Sequence, residues 1–183
     1  MNAVTKPVLQ GPRITLRDVG PDDVDARYEL GHTAEIVRMF GGDPAQIRDI
    51  TRDAAQAWVK VHQDDPHAWV IEAQGALLGA VRLHTVNHVD KRAQIAIGIL
   101  DPGALGKGFG TEAMQLLAAH AFDNLGLHRL GCRVLDFNAR ALAAYEKVGF
   151  VVEGREREAA LIGTEWHDDL IMGLLDRDLV RLG

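Results

Sequence analysis

Cysteine is almost missing from this chain. Of 183 residues only Cys132 is one, so no internal disulfide can form, and the usage suits a reducing cytoplasm. Cys132 falls within an apolar alternating pattern and reads as buried and inert. No apolar run approaches the ~20 residues of a membrane-spanning helix. Residues 1–7 lack the apolar core of a signal peptide. The eight histidines are scattered, and neither His-Glu-x-x-His nor Cys-x-x-Cys spacing occurs, so no metal is expected. Basic residues are outnumbered, 20 against 26 acidic, for a net charge of −6. That balance argues against a nucleic-acid binder and permits, without requiring, a cationic substrate. Repeats, low-complexity segments and linkers are also missing, and the length fits one domain, residues 1–183.

What is present centres on Ile95 to Thr111. Ile95, Ile97 and Ile99 alternate with Ala96, Gly98 and Leu100, the period of a strand. Asp101-Pro102-Gly103 ends it. Leu105-Gly106-Lys107-Gly108-Phe109-Gly110-Thr111 follows and leads straight into a helical pattern. Glycines let backbone N–H groups converge without Cβ atoms in the way. The helix N-terminus adds orphan donors and partial positive charge. Strand, glycine loop and helix form a cradle for a phosphate or pyrophosphate. The spacing fits neither the dinucleotide fingerprint nor the Walker loop, because it is Gly-x-Gly-x-Gly and Lys107 precedes Gly108. The plain alternative is a structural glycine turn.

The remaining chain supplies elements around that cradle. Arg13 to Arg17 reads as a first strand. Asp22 is the expected cap of a weakly amphipathic helical stretch over residues 24–40, which Phe40-Gly41-Gly42-Asp43-Pro44 interrupts. A further helix is expected over about Ala45 to Gln63. Ala68 to Glu72 and Leu77 to His84 are strands joined at Gln74-Gly75. From Thr111 the period becomes helical, with Ala113, Leu116, Leu117, Ala121 and Leu125 on one face and Gly126 a fitting stop. His128 to Leu135 alternates as a strand. Asn138 caps a short helix, Ala139 to Val148, closed by Gly149. Phe150 to Glu153 and Trp166 to Leu174 are the last strands, with a turn at Gly163-Thr164. The expectation is an α/β (α+β) fold with a mixed, mostly antiparallel sheet of about seven strands and helices on both faces.

In this order and spacing the chain resembles the GNAT superfamily of N-acetyltransferases, most strongly from Ala93 to Leu174. Gly106 to Ala113 is similar to that family's pyrophosphate loop. Asn138, Ala141, Tyr145, Gly149 and Phe150 match its Asn-x-x-Ala-x-x-x-Tyr-x-x-x-Gly-Phe segment. Glu153-Gly154 and Trp166-His167-Asp168-Asp169 look like the tail of the subgroup of ribosomal-protein N-terminal and spermidine acetyltransferases. Two positions depart. Leu105 replaces a Gln or Arg, removing one side-chain contact to phosphate, though backbone donors and Lys107 can still hold the anion. Gln94 stands where the subgroup often has glutamate, and a carboxamide cannot act as a base.

The resemblance implies acetyl-CoA as cosubstrate, with its pyrophosphate in the loop of Leu105 to Thr111 and its pantetheine arm along Gly98, Ile99 and Leu100. A bulge at Gly98 would splay this strand from the one at His128 to Leu135. Asn138 would touch the CoA arm while capping its helix. Tyr145 would hydrogen-bond the leaving thiolate. Full proton transfer from tyrosine (pKa ~10) to a thiolate (~8.5) is uphill by roughly 2 kcal/mol. The bland reading of Tyr145 is a half-buried packing aromatic. His84, Asp136 and Asp168 could relay a proton or simply be solvated. The implied acceptor is a primary amine, with a protein N-terminal α-amine put first, since such an amine is about one-tenth neutral at pH 7. A polyamine or aminoglycoside-like amine is the alternative, and the strand from Val81 to Val86 holds no acid for a polycation. A non-catalytic CoA sensor and a purely structural domain are the other classes. The resemblance also leaves room for a homodimer.

Overall fold

A computed structural model describes residues 6–183, so part of the N-terminal stretch judged above lies outside the described residues. Its elements in order are β1 (Leu9–Gln10), β2 (Thr15–Arg17), α1 (Asp23–Leu30), α2 (Ala34–Met39), α3 (Arg52–Asp64), β3 (Ala68–Ala73), β4 (Ala76–Asn87) and β5 (Arg92–Ile99). There follow α4 (Phe109–Asp123), β6 (Arg129–Leu135), α5 (Ala139–Val148), β7 (Val151–Ile162) and β8 (Glu165–Leu175). The eight strands form one sheet in the order β1-β2-β3-β4-β5-β6-β8-β7. Only β5 and β6 run parallel. The expected seven strands become eight because Leu9 and Gln10 pair with Leu16 and Thr15, a run too short to show a period. None of the described helices is long and apolar enough to cross a membrane.

Alternation along the strands sorts the layers. In β3, Trp69 and Ile71 join Leu16, Leu83, Ile95 and Leu130 against Met114 and Leu117 of α4 and Val148 of α5. Val70, between them, points the other way, with Leu77, onto Val59 of α3. Each such buried side chain contributes about 1.5–3 kcal/mol against exposure.

The helical stretch before β3 departs from its sequence pattern. Residues 24–40 make two helices, because Gly31 (φ +61°) ends α1 and Thr33 restarts the chain by accepting from Ile36 N at 3.3 Å. Asp22 makes no side-chain cap. Asp23, the first residue of the helix, instead ties it to the preceding chain, accepting from Gly20 N at 2.7 Å and bidentately from Arg17. The helix expected from Ala45 begins only at Arg52, under Thr51, which accepts from Ala54 N at 3.1 Å. Pro44–Gln46 is a single 3₁₀ turn capped by Asp43.

β5 and β6 part company. They are partners only at Arg92–Arg129, Ala93–Leu130 and Gln94–Gly131. Beyond that, β5 stays with β4 while β6 stays with β8 through Leu135–Asp169. The gap expected from the sequence is present, but no bulge at Gly98 makes it. Gly98 stays in register with Ala80, and the irregularity of this pair lies between His84 and Asn87, where Thr85 has φ +52°. Gly98 is glycine for another reason: a Cβ there would come within 2.8 Å of the Phe40 ring.

Candidate active site

The glycine loop is built as a cradle and tied down from behind. Gly106 and Gly108 have φ of +73° and +84°, which L side chains rarely adopt, and α4 starts at the next residue, Phe109. Glu112, in the first turn, is 3% exposed. Its carboxylate accepts from the backbone N of Arg13 (2.8 Å) and Ile14 (3.2 Å) and from Arg13 Nε (2.8 Å). Arg13 in turn donates to the Lys107 carbonyl at 2.9 Å and stacks 5.0 Å from the Phe109 ring centroid. These contacts fix the loop from the side away from its cavity.

Two cavities meet in the molecule. One, of about 260 Å³, runs between the loop and α5. Ile97, Ile99, Leu105, Gly106, Gly108, Gly110, Thr111, Asn138 and Tyr145 line it, together with Arg140 and Lys147. The other, of about 870 Å³, opens in the fork between β5 and β6 and is lined by His84, Gln94, Gly131, Cys132, Arg133, Glu156, Asp169 and Met172 among others. Met39, Phe40, Ile97, Asn138, Ala141 and Tyr145 belong to both. Strand register puts His84, Gln94, Gly131, Leu135 and Asp169 on the sheet face of Val70, whereas α5 covers the opposite face. The two cavities therefore reach Tyr145 from opposite sides of the sheet.

The other residues singled out from the sequence lie elsewhere. Gly98 and Leu100 line a third cavity, of about 250 Å³, with Phe40, Trp58 and His62. Lys107 and Phe109 line none of the three. Asp168 turns away to accept from Arg155 (2.7 Å) and Glu158 N (2.7 Å), and Asp136 lies 3.3 Å from the same Arg155.

Tyr145 is buried rather than half-buried, and packs edge-to-face on Phe150 at 5.1 Å. Its hydroxyl lies beside the Cys132 thiol. Burial, with Cys132 beside it, holds Tyr145 well above the ordinary tyrosine value, so it is a proton-bearing donor at any working pH. Burial likewise pushes the Cys132 thiol up to about 12, against which the Tyr145 hydrogen bond is the smaller effect. His84 is held below the ordinary histidine value by burial and then by Arg82, so it faces the fork as a neutral imidazole.

The fork also holds charges the sequence did not announce. Arg129 is taken bidentately by Glu153, and Arg133 forms an ion pair with Glu156 through one nitrogen. Asp169 has Arg133 Nη1 at 3.7 Å. Burial keeps its carboxyl above the usual range, Glu156 and Asp136 adding to the effect and Arg133 opposing it. Arg140 and Lys147 were legible in principle: Arg140, Ala144 and Lys147 are spaced i, i+4, i+7, a stripe beside that of Asn138, Ala141 and Tyr145. Asp169 had no such signal, because Leu170, Ile171 and Met172 are all apolar and leave the facing of β8 undefined.

Comparison with known proteins matches this geometry. The family model for the acetyltransferase (GNAT) domain covers residues 13–151. The spermidine N(1)-acetyltransferase of Escherichia coli (strain K12) is 28% identical over 159 residues, 87% of this chain and 84% of that protein. A ribosomal N-acetyltransferase-like protein of Bacillus subtilis (strain 168) is 32% identical over 104 residues, 57% of this chain and 56% of that protein. The crystal structure of spermidine N-acetyltransferase from Vibrio cholerae in complex with CoA and spermine is 26% identical, with a TM-score of 0.76 over 92% of this chain and 98% of that one. With its matched domain spanning loop, fork and α5, the chain belongs to the GNAT acetyltransferase family and is an acetyl-CoA-dependent N-acetyltransferase acting on amines.

Proposed function

We propose that the acceptor is a small polycationic amine of the polyamine class. The observation that carries this reading is the fork cavity. It meets the loop cavity at Tyr145 from the opposite face, and Glu156 and Asp169 are among its walls. The acids that β4 lacks are supplied by β7 and β8. The spermidine acetyltransferases among the relatives point the same way.

Acetyl-CoA supplies an activated acyl thioester. For its pyrophosphate the chain offers the N–H groups of the Gly106–Thr111 loop and the α4 N-terminus, with Arg140 and Lys147 on the same cavity. These cations stand in for the side-chain partner that Leu105 does not provide. Asn138 caps α5 by accepting from Ala141 N at 3.1 Å and lies where both cavities meet. In the transfer a bond forms from the amine nitrogen to the acyl carbon, the carbon–sulfur bond breaks, and the amine gives up a proton. His84, neutral and on the fork, takes that proton directly or through water. Tyr145 O–H turns from Cys132 to the sulfur as negative charge develops there. Its raised pKa favours a hydrogen bond over full transfer.

The test is free-thiol release with acetyl-CoA and three acceptors: spermidine, n-butylamine and a short peptide with a free N-terminus. Spermidine should give the highest kcat/KM. Turnover on the peptide alone would replace this reading with the protein α-amine, which the Bacillus subtilis relative favours.

A further inference from the structure

The fork cavity contains one carboxylate without a full partner. Asp169 lies on β8 opposite Leu135, and its side chain is 15% exposed. Its nearest cation among the described residues, Arg133 Nη1, stands 3.7 Å away, beyond good hydrogen-bond reach. The other nitrogen of that guanidinium is committed to Glu156. Arg129, on the same cavity, is held by both oxygens of Glu153. Arg129 and Arg133 match Glu156 and Asp169 in number on the cavity wall, but with Arg129 taken by Glu153 the five side chains together carry one net negative charge. A partly buried carboxylate in that condition calls for a cation, because burial costs the charge its hydration.

Its position says which cation. Cys132, the partner of the Tyr145 hydroxyl, and Leu135, the partner of Asp169, are on the same strand. They are three positions apart, roughly 10 Å at ~3.3 Å per residue. Asp169 is therefore too far from Tyr145 to hold the reacting nitrogen itself. Between the two the cavity wall carries Val134, Leu135, Ile171 and Met172, with Arg133 the one charged side chain among them, its guanidinium engaged by Glu156. An acid at the far end of an apolar wall suits an ammonium joined to the reacting amine by methylenes.

We propose that Asp169 anchors the distal ammonium of the acceptor and so selects amines that carry a second positive charge several bonds from the reacting one. This rests on the polyamine reading above. The methylenes lie along the apolar wall, and the distal N–H donates to the Asp169 carboxylate in a charge-assisted hydrogen bond.

The experiment compares wild type, Asp169→Asn and Asp169→Glu with spermidine and n-butylamine, and measures acetyl-CoA binding to each. Loss of a charge-assisted bond predicts a rise of about 10- to 100-fold in KM for spermidine in Asp169→Asn. Its acetyl-CoA affinity should stay at the wild-type level, and its loss on n-butylamine should be much smaller than its loss on spermidine. Asp169→Glu should recover part of the loss. The asparagine is isosteric, and it removes a partly buried charge that burial disfavours in the folded chain, so the fold should survive. If its melting temperature falls instead, Asp169→Ser is read by the same ratio of the two amines. An unchanged KM for spermidine, or an equal loss on both amines, overturns the inference while leaving the polyamine reading in place. A wild type that uses spermidine no better than n-butylamine overturns both.

Discussion

At the scale of single residues, the proposed mechanism divides the two proton problems of the reaction between Tyr145 and His84. Tyr145 matters only once charge builds on sulfur, so Tyr145→Phe should lower kcat and leave acetyl-CoA affinity intact. The expected loss is about 10- to 100-fold, at or below the bottom of the range for general acids, because full transfer from so weak an acid is disfavoured. A packing tyrosine would instead give unchanged turnover, since the ring that meets Phe150 is kept. His84 acts at the other end of the pH scale. Its pKa is lowered, so the imidazole is protonated only as pH falls below the ordinary histidine value. The kcat/KM of wild type should fall along that acidic limb, and His84→Gln should lose the limb together with most of the activity above it. A limb that persists in His84→Gln would assign the base elsewhere. Tyr145 was legible in the sequence because its spacing from Asn138 and Gly149 is fixed by one helix. For His84 the sequence left a proton relay and plain solvation side by side, and only the pairing of β4 with β5 shows that it shares a cavity with Gln94.

At the scale of elements, legibility followed how local the determining interaction is. α5 came out with its expected bounds, because Asn138 and Gly149 close it from within the segment. The helices before β3 did not. Their ends are set by Gly31, Thr33 and Thr51, which look alike in sequence to other turn residues, and by Arg17 reaching across to Asp23. The glycine loop lies between these cases. Its glycines were legible, but its support by Arg13 and Glu112 spans 99 residues of sequence. This anchoring makes a controlled test available. Gly108→Ala forces a side chain into φ +84° and places its Cβ 3.2 Å from Arg13 Nη2. Gly75→Ala imposes the same kind of strain at φ +80° with nothing within 4 Å. Each should cost about 1–2 kcal/mol of stability. Only Gly108→Ala should shrink the rise in Tm that saturating acetyl-CoA produces. Equal ligand shifts in the two variants would separate the cradle from the cofactor.

At the scale of the whole molecule, the fork decides the kinetic mechanism. A sheet that opens between β5 and β6 lets one cavity arrive from the α5 face and the other from the face of Val70, with Tyr145 at the junction. Two substrates can then be held at once, and nothing requires the first product to leave before the second substrate enters. The competing possibility is a covalent relay, for which Cys132 is well placed, since it lines the fork beside Tyr145. Its chemistry rules against that. A thiol pushed up to about 12 by burial is almost wholly protonated near pH 7, and the thiolate is the nucleophile. In the proposed mechanism the amine therefore attacks the thioester directly. Initial rates with both substrates varied should give intersecting double-reciprocal lines, and enzyme incubated with acetyl-CoA alone should show no added acetyl mass at Cys132. Parallel lines together with an acetylated Cys132 would reverse this order of events and make the buried thiol, not the fork, the centre of the reaction.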